Sequence, residues 1–98
     1  MKIYLTVLLK SKVENIEVLK SKLKELVNQS TKEASCLEYD LHQSKEDSSV
    51  FIFHEKWKDQ AGLDSHNNQS YLKEFFEASK TLLQDKPIVH STSKVLFY

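Results

Sequence analysis

The spacing of apolar residues switches along this chain between a period of two and a period of about 3.6. The order of those switches restricts the fold more than any other feature. Residues 2–10 (KIYLTVLLK) put Ile3, Leu5, Val7 and Leu9 on one side of a strand and Tyr4, Thr6 and Leu8 on the other. Residues 14–34 bring Ile16, Leu19, Leu23, Leu26 and Val27 onto one helical stripe. Glu14 and Glu17 sit in its first turn and Lys32 near its last, as the helix dipole favours. Residues 37–43 (LEYDLHQ) alternate again, Leu37, Tyr39 and Leu41 against Glu38, Asp40 and His42. The polar run 44–49 (SKEDSS) is turn-like, and 50–57 (VFIFHEKW) is β-branched and aromatic, so these two strands are expected to form a hairpin. Asp59 is placed to cap a short helix. After Asn67 and Asn68 a second helical stripe carries Tyr71, Leu72, Phe75, Phe76, Ser79, Leu82 and Leu83, and Pro87 blocks its continuation. Residues 88–97 (IVHSTSKVLF) return to a strand pattern.

The resulting order is βαββαβ. It predicts an α+β, ferredoxin-like sandwich with an antiparallel sheet and a single helical layer. Ninety-eight residues, with one Gly and one Pro and no linker-like stretch, predict one domain over 1–98. Area scaling allows about two-thirds of the unfolded surface to be buried, enough for a core without metal or disulfide. Two helices cover only one sheet face, yet apolar groups occupy both. Val50 and Ile52 oppose Phe51, Phe53 and Trp57; Ile88, Leu96 and Tyr98 oppose Val89, Val95 and Phe97. An uncovered apolar sheet invites association, and a two-fold contact is self-complementary, so a homodimer through that face is expected.

Charge excludes further classes. Fourteen Lys balance 14 Asp and Glu, which removes the general attraction that most nucleic-acid binders use. No apolar run approaches a membrane span, and MKIYLTVLLK reads as a strand rather than a signal peptide. The lone Cys36 has no internal partner, and a cytoplasmic protein is expected. Every basic residue is Lys, so any planar anion would be held without the bidentate fork that Arg supplies. One Gly cannot build a phosphate cradle, so no nucleotide cofactor is expected. His42, His54 and His90 lack metal-ligand spacing, and no metal is expected either.

Few residues remain for chemistry. His66, where the short helix breaks in LDSHNN, can exchange a proton near neutral pH. Glu55 shares a strand face with Phe51, Phe53 and Trp57, a costly setting for a carboxylate unless it is paired. Tyr39 and Tyr4 could point hydroxyls into a pocket. Cys36 reads as a packed thiol.

The run from Cys36 to Phe75 resembles the antibiotic biosynthesis monooxygenase family, and within it the small quinol monooxygenases. The resemblance lies in the strand CLEYDLHQ, the following polar hairpin, Phe51 to Trp57 (FIFHEKW) and Leu63 to His66 (LDSH). It implies a dimeric α/β-barrel-like assembly with sheets face to face and a pocket between sheet and helices. It also implies a monooxygenase without metal or organic cofactor, acting on a quinol-like or polyphenolic aromatic small molecule. His66 is then the proton-transfer group, with Glu55 as its partner or as a hydroxyl acceptor. Trp57, Tyr39, Phe53 and Tyr4 would bind the substrate. Members often carry Gly before the Cys, where this chain has Ser35. Haem-degrading relatives use an Asn on strand one and a His on the last helix, and both are missing here. A non-catalytic dimeric binding module, or an isomerase working through His66 and Glu55, are the alternatives.

Overall fold

In the computed structural model, which describes residues 1–96, the chain runs β1 (Ile3–Lys10), a single 3-10 turn (Val13–Asn15), α1 (Ile16–Ser30), β2 (Cys36–Gln43) and β3 (Val50–Trp57). It continues through α2 (Gln60–Asn67), α3 (Ser70–Ser79) and β4 (Ile88–Thr92). The four strands form one sheet in the order β2-β3-β1-β4, with every neighbouring pair antiparallel. This is the ferredoxin-like arrangement expected from the βαββαβ order.

Strand alternation decides which residues meet the helices. The helix-facing side carries Val7 and Leu9 of β1, Tyr39 of β2, and Phe51, Phe53 and Trp57 of β3. Against it pack Leu19, Leu23 and Leu26 of α1, Leu63 of α2, and Leu72 and Phe75 of α3. The opposite side is open. Cross-strand register places three rows on it: His42, Ile52, Leu8 and Ile88; Asp40, His54, Thr6 and His90; Glu38, Lys56, Tyr4 and Thr92. Only the first of these rows is mainly apolar.

Four local expectations change. The first helix stops at Ser30, short of residue 34, because Thr31 turns its hydroxyl back onto the carbonyl of Val27 at 2.8 Å and competes with the next turn. Leu37 does not share the inward side with Tyr39. The β2–β3 register shifts between Cys36 and Glu38, which leaves Leu37 as the extra residue, 45% exposed. The last helix ends at Ser79 rather than near Leu83, since Leu83 pairs with Ser11 and the Gln84 amide donates to Lys10. β4 ends at Thr92, so Val95 and Leu96 lie beyond it and are exposed. Phe97 and Tyr98 fall outside the described residues.

Candidate active site

Between the sheet and the helices lies a half-open cavity of about 230 Å³. Its floor is Leu5 and Val7 of β1 with Tyr39 and Phe53. Its roof is Leu26, Leu72 and Phe75, and Val89 and Phe76 stand at its β4 side. Three polar side chains interrupt this apolar lining: Glu55, His66 and Asn67.

His66 reaches the cavity because α2 starts at a well-made cap. The Asp59 carboxylate accepts from the Gly62 amide at 2.8 Å, and about two turns after that cap the ring of His66 lies under α3, only 2% exposed. Gly62 allows this docking. A Cβ there would overlap Cβ of Ser35 and lie 2.6 Å from its Oγ, in the turn after α1. Ser35 therefore fills space that the absence of a side chain at Gly62 leaves open.

His66 pairs with Glu33 and not with Glu55. The Nδ1 of His66 lies 2.6 Å from Oε2 of Glu33, in a contact spanning 33 residues of sequence. The hydroxyl of Tyr71 donates to the same oxygen, and it lies 3.1 Å from the hydroxyl of the buried Ser30. Glu33 reaches this place because α1 unwinds at Ser30. The Glu33 amide then donates to the Ser30 carbonyl at 3.0 Å, turning the side chain inward. Neither Glu33 nor Tyr71 carries a local signal in the sequence. The one hint is that the helical stripe gains no apolar residue between Asn28 and Glu33.

Glu55 has a different partner. Its Oε1 accepts from Nε1 of Trp57 at 3.0 Å. Burial pushes its carboxyl up to about 7; the Trp57 bond pulls it back in part, and the Glu33 charge adds to the rise. Tyr39 packs against Phe53 with ring centroids 4.8 Å apart and meets His66 edge-on at 5.7 Å. Its hydroxyl is raised well above the ordinary tyrosine range, first by burial and then by Glu55. Trp57 packs beneath His66 and is fully buried rather than lining the cavity. Tyr4 is not brought to this group: it lies on the open side of the sheet, under the Lys56 ammonium at 5.7 Å. Burial pushes the Cys36 thiol up to about 11, with Glu33, Glu55 and Asp40 adding to the rise, so it is a poor nucleophile at neutral pH. Among the described residues no group of three or more His, Cys, Asp or Glu is placed to hold a metal ion.

Fold and site define a ferredoxin-like small protein with a histidine- and glutamate-bearing aromatic pocket. It belongs to the antibiotic biosynthesis monooxygenase family, whose sequence model matches residues 3–78. It is 33% identical over 81 residues to a Bacillus subtilis (strain 168) protein named "Putative monooxygenase YcnE", covering 83% of this chain and 85% of that one. Among solved structures, PA3566 from Pseudomonas aeruginosa superposes with a TM-score of 0.90 at 32% identity, covering 97% of this chain and 95% of that one. Rv0793 from Mycobacterium tuberculosis gives a TM-score of 0.91 over 99% and 98% of the two chains, at 15% identity, a likeness of fold alone. Among the described residues no helix is long and apolar enough to cross a membrane.

Proposed function

We propose that this chain is a cofactor-independent monooxygenase of a quinol-like or polyphenolic aromatic compound. The observation that carries the reading is the pairing, in one apolar cavity, of a histidine held by a carboxylate with a second, largely buried carboxyl group. The ring of the substrate lies against Tyr39 and Phe53. His66 takes the proton of a hydroxyl, and the anion passes one electron to O₂. Recombination at a ring carbon forms a hydroperoxide, and loss of water leaves a carbonyl. For a quinol, one substrate and one O₂ become one hydroxyquinone and one water, so the substrate supplies all four electrons and no reductant enters. Low polarity in the cavity strengthens the contacts that hold the anion. Glu55, lifted to about 7, keeps a proton over part of the neutral range and can deliver it to the departing oxygen. A cavity of about 230 Å³ exceeds the roughly 150 Å³ that holds benzene and falls below the range of about 300–1,000 Å³ for larger ligands, which suits one or two rings.

In this reading the working form is a homodimer through the open sheet side, in the cytoplasm, with the 98 residues as one domain. The chain exposes 6624 Å², against roughly 5,800 Å² for a folded monomer of its mass. Ile88, 55% exposed on the open side of β4, is part of the surplus.

The test is oxygen uptake with a panel of quinols and polyphenols, with chelator present, no cofactor added, and a protein-free control. Saturable uptake that falls about 10²-fold or more in His66→Ala supports the reading. Uptake no greater than the control sinks it for those compounds. Aromatic binding that survives His66→Ala, with no turnover by the parent, would instead favour a binding module.

A further inference from the structure

The tie between His66, Glu33 and Tyr71 has a direction that the proton inventory makes explicit. An ionised carboxylate only accepts, so both contacts to Oε2 of Glu33 must be donated to it. The proton of Tyr71 goes there, which leaves the hydroxyl of Ser30 as the donor to Tyr71 across 3.1 Å. The Nδ1 proton of His66 goes there too, across 2.6 Å. The 3.4 Å approach of Tyr71 to Nδ1 is then that of two donors sharing one acceptor. Each proton in the group has one destination, and the three helices contribute one part each: Ser30 ends α1, with Glu33 in the turn behind it, His66 comes from α2 and Tyr71 from α3. The other ring nitrogen has no hydrogen-bond partner among the described residues. No unpartnered side-chain nitrogen or oxygen among them is sealed from solvent. Since His66 lines the cavity, Nε2 is the nitrogen that opens onto it.

We propose that Glu33 and Tyr71 are positioning residues that fix the ring of His66 with its proton on Nδ1, so that Nε2 is the atom that accepts the substrate proton. The assignment rests on the reading of His66 as a base, but it concerns the state of the ring before any substrate binds. Two consequences follow. The ring needs no tautomer change before reaction. The positive charge it gains at Nε2 is met at once by the Glu33 carboxylate on its far side, which is the part a buried carboxylate plays behind a catalytic histidine. Tyr71 holds Oε2 against rotation. Its own proton is firmly kept, since burial and Glu33 both raise its hydroxyl above the ordinary tyrosine range.

The test is a two-dimensional NMR correlation of the ring nitrogens and carbon-bound ring protons in the full chain labelled with ¹⁵N-histidine, at neutral pH and without ligand. His66 is assigned by its absence in His66→Ala. The expected signature is a protonated Nδ1 and an unprotonated Nε2. A proton on Nε2, in either the neutral or the doubly protonated ring, overturns the proposal whether or not oxygen uptake is found. Glu33→Leu removes the acceptor; the ring proton should then redistribute to Nε2, and uptake should fall about 10²-fold or more with KM little changed. Glu33→Gln keeps an oxygen that can accept both donors, so it should retain the Nδ1 proton and recover part of the rate. If Glu33→Leu does not fold, Tyr71→Phe serves, with a fall of about 10-fold and an unchanged tautomer. An unaltered rate in a folded Glu33→Leu variant of an active enzyme overturns the positioning role. The expected tautomer together with no uptake in the parent would count against the oxygenase reading alone.

Discussion

The imidazole of His66 lies over the indole of Trp57, with ring centroids 4.3 Å apart and planes tilted by 34°. The same indole donates from Nε1 to Glu55 at 3.0 Å. One side chain therefore sets the resting place of the two groups proposed to move protons. Trp57→Phe keeps an aromatic surface under His66 and removes the donor to Glu55. Because that bond pulls the Glu55 carboxyl down, its loss should move the midpoint above about 7. A ¹³C NMR titration of the Glu55 carboxyl checks this. A midpoint that stays put or drops would show that the bond does not stabilise the ionised form.

Glu55 should also make the fold less stable as pH rises. Its folded-state midpoint of about 7 lies above the ordinary 4.5, so between those values unfolding releases a proton. The contribution is nil below pH 4.5 and is a full penalty above pH 7, on the order of 3 kcal/mol. Glu55→Gln can still accept from Trp57 but cannot ionise. Urea unfolding at pH 4 and pH 8 should show the variant gaining on the parent mainly at pH 8. An equal difference at both values would remove Glu55 as the source.

Gly62 and Ser35 should show opposite signs alone and together. Gly62→Ala drives a methyl into Cβ and Oγ of Ser35 and should cost about 1–3 kcal/mol, as overpacking does. With Ser35→Gly in place, the nearest remaining neighbour is the Asp59 carboxylate oxygen at 3.2 Å. The same Gly62→Ala change should then stabilise α2 by up to about 1 kcal/mol through helix propensity. A double-mutant cycle by thermal or urea unfolding measures the coupling, and additive effects would contradict the close approach.

The proposed homodimer predicts a specific failure. Leu8 and Ile52 are directly paired on the open side of the sheet, and in a two-fold contact any change there enters the interface twice. Ile52→Lys should give a folded monomer at micromolar concentration in sedimentation velocity, where the parent sediments as a dimer. A monomeric parent would remove the dimer from the proposal.

The reach of the sequence differs sharply between elements and site. β1 and β3 were legible because Leu5, Val7 and Leu9, and Phe51, Phe53 and Trp57, each repeat at a period of two, which only an extended chain converts into one face. His66 stood out by residue type, and Glu55 by its place among aromatics. The partner of His66 could not be read. Glu33 lay within a stretch that reads as helix continuing to residue 34. Whether it turned inward depended on Thr31 ending that helix and on α2 and α3 lying close enough to supply His66 and Tyr71. Tyr4 and Tyr39 looked alike as candidate ring-binders, and strand register alone separated them, one to each side of the sheet.

The sequence by itself determined the order βαββαβ and the apolar side of each element, because those follow from spacing along one stretch of chain. Tertiary structure decided which polar groups meet: Glu33 with His66, Trp57 with Glu55, Gly62 against Ser35. Periodicity records which way a side chain faces. A hydrogen bond requires two atoms from separate elements to come within about 3 Å, and that separation is set only when the helices dock on the sheet.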